Sequence, residues 1–237
     1  MKQYHRLLTP TLVLSCCAVW LFVHGRIYAH TADDAFISLV YAKNLSNGEG
    51  LVFNLGERVE GYTNFLWILL LAIPHLIQLD ATLFAEILGF CAAVGTLVTT
   101  FLLSLKITPK RPVIYHFIPS ILLAANGAFS YWSFSGMETA LFTFLVSMGV
   151  YHYVREIASS KPSLLSSLFW GLASLTRPEG ILLFTLTTVH YLLHFKKERK
   201  ISVITISKWI LPFSALVVPH FIFRFLYYGS FLPNTYF

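Results

Sequence analysis

The fold is decided by the stretch Ala81-Thr-Leu-Phe-Ala-Glu-Ile-Leu-Gly-Phe-Cys-Ala-Ala-Val-Gly-Thr-Leu-Val-Thr-Thr-Phe-Leu-Leu-Ser-Leu105, in which Glu86 is the single charged residue. A helix needs about 20 mostly apolar residues to cross a bilayer, so this stretch predicts a membrane span. The 237-residue chain is 56% apolar and 12% charged, whereas soluble domains are about 45–50% apolar and about 25% charged. This composition indicates an integral membrane protein. It argues against a secreted disulfide scaffold, a disordered chain and a nucleic-acid-binding module.

Six further apolar stretches approach the length of a span, at about 7–29, 113–128, 139–155, 163–176, 180–195 and 203–227. An eighth run, Phe65–Leu79, is shorter and contains Pro74 and His75. Short loops rich in Lys and Arg remain cytoplasmic. If Phe65–Leu79 crossed the membrane, the basic clusters after it would lie on the opposite side from the basic N-terminus. All the clusters lie on one side only if Phe65–Leu79 does not span. These clusters are Lys2 and Arg6; Lys106, Lys110 and Arg111; Arg155 and Lys161; and Lys196, Lys197, Arg199 and Lys200.

The charge pattern therefore predicts an all-α integral membrane protein with seven transmembrane helices and a cytoplasmic N-terminus. Residues 1–237 form a single module in this interpretation. Residues 30–80 form an outer loop, and residues 64–79 form a juxtamembrane helix within it.

The outer loop carries the first candidate site residues. Asp33 and Asp34 precede an apolar pattern over Ala35–Leu45 that predicts a second juxtamembrane helix. Carboxylates at a helix N-terminus interact favourably with the helix dipole, and on helix physics alone a capping role is the better explanation of this pair. Glycines mark tight turns around a short extended piece at Leu51–Phe53. The chain then presents four polar side chains: Arg58, Glu60, Tyr62 and Asn64.

Two more polar segments fall on the same predicted side. Glu138 lies at the start of the fourth span, and Thr176-Arg177-Pro178-Glu179-Gly180 joins the fifth span to the sixth. Ionisable groups at membrane depth are costly and usually functional. Acids can serve as a general base or bind a divalent cation, and an arginine can hold a phosphate through two parallel hydrogen bonds. Since no Walker loop, zinc-protease spacing or nucleophile elbow occurs, the pattern favours attack of a hydroxyl on a lipid-borne phosphate substrate.

Six motifs occur in order over residues 33–236: Asp33-Asp-Ala-Phe-Ile-Ser-Leu-Val-Tyr-Ala-Lys-Asn-Leu45, Gly50-Leu-Val-Phe-Asn54, Gly56-Glu-Arg-Val-Glu-Gly-Tyr-Thr-Asn64, Ser135-Gly-Met-Glu-Thr139, Thr176-Arg-Pro-Glu-Gly180 and Leu232-Pro-Asn-Thr-Tyr236. With the acid pair after the first span, they resemble the GT-C superfamily of membrane glycosyltransferases, which use polyprenyl-phosphate sugars. Within that superfamily they are most similar to the branch containing the actinobacterial arabinofuranosyltransferase that takes sugar from decaprenyl-phosphoryl arabinose.

The resemblance implies a role for each candidate residue. Asp33 or Asp34 would be the catalytic base that deprotonates the acceptor hydroxyl, with inversion at the anomeric carbon. Arg177, or Arg58 in second place, would hold the donor phosphate. The remaining substrate-binding candidates are Glu60, Tyr62, Asn64, Glu138 and Glu179.

The partners implied by the resemblance are a polyprenyl-phosphate-linked sugar, a glycan or lipid acceptor of the cell envelope, and membrane lipid, with no nucleic acid. Metal dependence is left open, because members of the superfamily differ in whether their acids bind a divalent cation. The expected location is a bacterial inner membrane, with the active face periplasmic or extracellular.

Relatives in the superfamily generally continue beyond a seven-span module, whereas this chain stops at Phe237. We therefore expect a module truncated at its C-terminus. Two alternatives to the enzyme remain at this point: a non-catalytic relative that binds polyprenyl phosphate or a partner subunit, and a small-solute transporter. The transporter ranks third because the sequence gives only weak signals of two features expected of transporters, polar residues in mid-membrane and paired inverted halves.

Overall fold

The computed structural model describes residues 2–28, 30–159, 163–197 and 202–234. Its elements within those ranges are helical: α1 (Lys2–Tyr28), α2 (Asp33–Ser46), α3 (Phe65–Leu76), α4 (Ala81–Ile107), a 3-10 helix (Val113–Phe117), α5 (Ile118–Ala124), α6 (Gly127–Trp132), α7 (Thr139–Ser159), α8 (Leu165–Thr176), α9 (Glu179–Lys197) and α10 (Val203–Tyr228). The expected all-α class is confirmed for the described part of the chain, which contains no strand.

Three helices in the described ranges are long and apolar enough to cross a membrane, at Thr9–Tyr28, Ala81–Ile107 and Val203–Tyr228. They correspond to the first, second and seventh predicted spans. α8 has 12 residues, which gives about 18 Å of helix against a hydrocarbon core of about 30 Å. The count of seven spans therefore stays a prediction.

The predicted span at 113–128 is not one continuous helix. The 3-10 helix runs into α5, and α5 ends at Ala124. α6 then begins after Asn126, whose side chain accepts a hydrogen bond of 2.9 Å from the backbone N–H of Phe129. A side-chain amide that bonds the local backbone competes with helix continuation. The apolar composition of residues 113–128 gives no indication of this break between helices.

The two predicted juxtamembrane helices of the outer loop both form, as α2 and α3. α3 continues through Pro74 to Leu76 and is more deeply packed than a helix resting on lipid would be. Trp67, Ile68 and Leu71 are fully buried in the largest apolar core cluster of the described residues. α2 and α3 pack together, and α3 also contacts α4 and α8. α2 and α3 are therefore packed as a pair against the bundle.

Small residues allow the central helices to approach closely. α4 packs along α7, α7 along α8, and α8 along α9 and α10. A Cβ at Gly95 of α4 would lie 2.6 Å from the Phe144 ring, and one at Gly149 of α7 would lie 3.1 Å from the Trp170 ring. Glycines at such interfaces are the common solution where helices associate through packing in lipid. This packing fixes the ends of α7 and α8, which carry the polar site.

Candidate functional site

Asp33 and Asp34 are the first two residues of α2, and both are exposed. The preceding Ala32 offers no side chain to cap the helix, so the acids supply negative charge at its positive end. The backbone N–H of Ala32 donates a hydrogen bond of 2.9 Å to the carbonyl oxygen of Ser135. The start of α2 is thereby joined to the segment that precedes α7.

Gly136 makes this junction possible. Its φ of +76° lies in the left-handed region, and a Cβ there would come within 3.1 Å of the Ala35 Cβ. The indole Nε1–H of Trp67 also donates a hydrogen bond of 3.1 Å to the Gly136 carbonyl oxygen. The segment before α7 is thus held between α2 and α3, which places Glu138 beside the start of α2.

A cavity of about 260 Å³ opens at this junction, and we call it the outer cavity. The candidate residues on its wall are Asp34, Tyr62, Asn64 and Glu138, together with Ser38 of α2. Asp33 does not line this cavity, although it adjoins Asp34 in the chain. The structure therefore brings four sequence-predicted residues to one concave site and distinguishes between the two aspartates.

Asn64 connects the walls of the outer cavity. Its Nδ2 donates hydrogen bonds of 2.9 Å to the Ser38 hydroxyl and 2.9 Å to Oε2 of Glu138. All three residues are buried. The Asn64 Oδ1 is buried without a hydrogen-bond partner in the described structure. Since buried polar atoms are nearly always paired, this unpaired carbonyl oxygen is an exception beside the outer cavity.

Arg177 lies between two carboxylates. One guanidinium nitrogen is 3.4 Å from Oε1 of Glu138, and the other is 3.1 Å from Oε1 of Glu179. The Arg177 side chain is 35% exposed, so its ion pairs are partly screened by solvent. The predicted residues Glu138, Arg177 and Glu179 thus form one connected group at the start of α7 and the junction of α8 with α9.

Glu60 lies outside the outer cavity, in a buried ion pair. Its Oε2 is 2.9 Å from Nε of Arg224 on α10, and the side chains are only 4% and 8% exposed, respectively. Burial raises the pKa of Glu60, and the adjacent Arg224 guanidinium offsets that rise only in part. The loop carbonyl of Glu60 also accepts a hydrogen bond of 2.9 Å from the Asn234 N–H. Glu60 therefore ties the outer loop to the end of α10.

A tyrosine cluster extends this connection. Tyr62 and Tyr228 share a hydrogen bond of 3.1 Å, and the Tyr228 hydroxyl donates to the Leu51 carbonyl at 2.7 Å. The Tyr41 hydroxyl donates to the Val59 carbonyl at 2.8 Å and accepts from the Gly61 N–H at 2.9 Å. Burial raises the pKa of Tyr62, so its phenol stays protonated as a hydrogen-bonding group.

Arg58 is exposed, with its guanidinium 4.7 Å from the centroid of the Tyr227 ring. It lines a cavity of about 180 Å³ with Glu60, Tyr228 and Asn234. In the described part of the chain Arg58 has no ion pair, in contrast to Arg177. No three His, Cys, Asp or Glu side chains converge as a metal site among the described residues.

Sequence reasoning did not single out Ser38, Tyr228 or Arg224. Ser38 and Tyr228 carry no signal that distinguishes them from other polar residues. Arg224 did carry one, because it is an arginine inside the apolar stretch predicted to be the last span.

The described helices and the polar site at one end of them define a helical membrane protein. Two known proteins are similar to this chain over most of its length. The chain is 30% identical to the terminal beta-(1->2)-arabinofuranosyltransferase of Corynebacterium glutamicum, over 98% of this chain and 36% of that protein. It is 28% identical to the protein of the same name from Mycobacterium tuberculosis, over 86% of this chain and 34% of that protein.

The resemblance to arabinofuranosyltransferases that the motifs indicate is confirmed by these two relatives. The chain spans about a third of the length of the curated relatives it matches. No protein-family model and no solved structure matches it.

Proposed function

We propose that the chain is the site-bearing part of a membrane glycosyltransferase, which moves a sugar from a polyprenyl-phosphate donor to a glycan or lipid acceptor of the cell envelope. The observation that carries this proposal is the outer cavity, where Asp34 lies on the same wall as the hydrogen-bonded Asn64 and Glu138. Both similar proteins transfer arabinofuranosyl groups, according to their names. The similarity covers 98% of this chain for one relative and 86% for the other.

In this proposal Asp34 is the catalytic base. Its carboxylate removes the proton from the acceptor hydroxyl, and the oxygen then attacks the anomeric carbon of the donor sugar. The bond between that carbon and the phosphate oxygen breaks, and polyprenyl phosphate leaves with the electron pair. Attack in line with the leaving group inverts the anomeric configuration. We assign this role to Asp34 rather than Asp33 because only Asp34 lines the outer cavity.

The donor phosphate needs a cation, and the geometry favours Arg58 over Arg177. Arg177 already holds Glu138 and Glu179, and a phosphate would have to compete with both carboxylates. Arg58 is exposed and has no ion pair in the described part of the chain, so its guanidinium is open to a phosphate. It lines the cavity that contains Glu60 and Tyr228, next to the outer loop, and not the outer cavity itself. Arg177 in turn neutralises Glu138, which keeps excess negative charge from the side of the cavity where the phosphate would approach.

The proposed topology places the outer cavity on the periplasmic or extracellular face of a bacterial inner membrane. All seven predicted stretches span the membrane in this arrangement, the N-terminus is cytoplasmic, and α2 and α3 lie on the outer side. Its support is the grouping of four basic clusters on the other side.

The test of the proposed function is sugar transfer in proteoliposomes. Purified protein would receive radiolabelled polyprenyl-phosphoryl sugars, decaprenyl-phosphoryl arabinose among them, with a mixed envelope glycan as acceptor. We expect transfer by the wild type and none above background by the Asp33→Ala/Asp34→Ala variant. Full transfer by that variant would contradict the proposal. Donor binding without transfer by the wild type would favour a non-catalytic binding protein.

A further inference from the structure

A second polar cavity, which we call the inner cavity, lies at the opposite ends of α7 and α8 from the outer cavity. Its volume is about 450 Å³. The polar side chains that line it come from the end of α4, the C-terminal half of α7 and the segment before α8: Lys106, His152, Arg155, Glu156, Ser159 and Ser163. None of these residues belongs to the site proposed for sugar transfer.

The distance between the two cavities matches the thickness of a bilayer. α7 starts at Thr139, next to Glu138 of the outer cavity, and ends at Ser159, on the wall of the inner cavity. Its 21 residues make a helix about 30 Å long, and the hydrocarbon core of a bilayer is about 30 Å thick. If the outer cavity lies at one headgroup level, the inner cavity lies at the other.

The inner cavity carries positive charge that the described chain does not neutralise. Lys106 and Arg155 are both exposed, and neither forms an ion pair within the part of the chain that the structure describes. The Arg155 guanidinium lies 5.6 Å from the centroid of the Tyr151 ring, which limits the directions in which it can point. A planar cation held against an aromatic ring is well suited to grip a phosphate or carboxylate with two hydrogen bonds.

Glu156 is the one acid among the described residues of this wall, and its oxygens are engaged by α8. It accepts hydrogen bonds of 2.8 Å from the Ser166 hydroxyl and 3.3 Å from the Ser166 backbone N–H. The residue is only 3% exposed. The carboxylate thereby satisfies a free N–H in the first turn of α8. It does not pair with Lys106 or Arg155.

We propose that the inner cavity binds a phosphate-bearing anion at the membrane face opposite the candidate active site. Arg155 would hold two phosphate oxygens, and Lys106 would add a point charge from α4. The apolar side chains of Ala158 and Leu165 complete the wall and would contact the less polar part of such a ligand. Both the headgroup of an anionic lipid and a soluble phosphate compound carry such a phosphate group. The experiment below distinguishes between these two ligands.

The basic residues of this face also have a simpler explanation, since Lys and Arg orient membrane proteins. The chain provides a matched control for this explanation. Lys110 and Arg111 belong to the same basic loop as Lys106, are exposed, and do not line the inner cavity. A Lys106→Gln/Arg155→Gln variant and a Lys110→Gln/Arg111→Gln variant therefore lose the same charge, but only the first alters the cavity.

The experiment measures lipid binding to the purified full chain by native mass spectrometry, with phosphatidylglycerol and phosphatidylcholine as probes. We expect the wild type to prefer phosphatidylglycerol, and Lys106→Gln/Arg155→Gln to lower its affinity about tenfold or more, as loss of a bidentate charged contact does. The Lys110→Gln/Arg111→Gln variant should change the affinity by less than about twofold, as exposed charges do. Equal losses in both variants, or no loss in either, would overturn the proposal.

Two further measurements complete the test. Millimolar inorganic phosphate that displaces the lipid competitively would indicate a site open to soluble phosphates, whereas binding unaffected by phosphate would indicate a lipid headgroup site. If the double variant does not purify as a folded protein, Arg155→Lys replaces it. That variant keeps the charge but loses the planar fork, so we expect a several-fold loss of phosphatidylglycerol affinity. Unchanged affinity in Arg155→Lys and in a Lys106→Gln single variant would overturn the proposal.

Discussion

At the scale of single residues, the buried pair of Glu60 and Arg224 shows how the outer loop is fixed. The two residues are 164 positions apart in the chain and meet at 2.9 Å. A buried charge that loses its partner destabilises a protein by about 3–5 kcal/mol, whereas replacing both partners with apolar residues is often neutral. The pair therefore specifies where the loop docks on α10.

We predict that Arg224→Met lowers the free energy of unfolding by about 3–5 kcal/mol, because Glu60 is left buried and unpaired. The Glu60→Leu/Arg224→Met double variant should recover most of that loss. Thermal unfolding in a mild detergent, followed by tryptophan fluorescence, measures both. A double variant less stable than Arg224→Met would show that the pair does not act as a unit.

The pH dependence of the same variant has a defined sign. Burial already raises the pKa of Glu60, and Arg224 lowers it in part, so Arg224→Met should raise this pKa further. A carboxyl whose folded-state pKa is raised favours the folded state at low pH and loses that contribution as the pH rises. We therefore expect the stability deficit of Arg224→Met to shrink between pH 7.5 and pH 5. Melting curves across that range, with Glu60→Gln/Arg224→Met as a control without a titrating group, should show the difference.

At the scale of elements, the site depends on how closely α7 and α8 pack. Glu138 directly precedes α7 and Arg177 directly follows α8, and the two side chains form an ion pair. Gly149 lies at their interface, facing the indole of Trp170. A side chain there requires the Trp170 ring to move by a few tenths of an ångström.

We predict that Gly149→Ala destabilises the protein by about 1–3 kcal/mol, the usual cost of overpacking a tight interface. Its Cβ would lie 3.1–3.2 Å from three atoms of the Trp170 ring. Gly127→Ala is the matched control, because the nearest atom to a Cβ there is 3.9 Å away. Chemical or thermal unfolding of the two variants compares them. Equal stability would contradict the close packing described for α7 and α8.

Sequence patterns predicted elements well where the signal was local. The apolar periodicity after Asp34 predicted α2, and the run after Asn64 predicted α3. Composition could not show that Asn126 caps a new helix, so the helical run of the 113–128 stretch ends at Ala124, before the predicted boundary. The burial of Trp67 and the partner of Arg224 depend on contacts between distant segments, which no local pattern carries.

At the scale of the whole molecule, the proposed arrangement separates two polar cavities by the length of α7. This arrangement places Glu49 and Lys110 on opposite sides of the membrane. Of the residues that line the outer cavity, Asp34, Tyr62, Asn64 and Glu138 could be singled out from the sequence because their motifs resemble a known superfamily. The exclusion of Asp33 from the outer cavity and the engagement of Arg177 by two acids required the three-dimensional fold.

Topology is testable by cysteine accessibility in a variant whose native cysteines, Cys16, Cys17 and Cys91, are replaced by alanine. We predict that a membrane-impermeant maleimide labels Glu49→Cys in intact cells and labels Lys110→Cys only after the membrane is permeabilised. Labelling of both positions in intact cells would contradict the grouping of the acidic residues on one face.

The most direct test of the central claim compares single substitutions of the two adjacent aspartates. Sugar transfer from decaprenyl-phosphoryl arabinose in proteoliposomes would be measured for Asp34→Asn and Asp33→Asn, two variants with the same change of charge. Because only Asp34 lines the outer cavity, we predict that Asp34→Asn lowers the transfer rate by about 10²-fold or more, as loss of a general base does. Asp33→Asn should keep a rate within about tenfold of wild type, since a first-turn acid contributes about 1 kcal/mol or less to its helix. Equal losses, or a larger loss in Asp33→Asn, would contradict the assignment of Asp34 as the base.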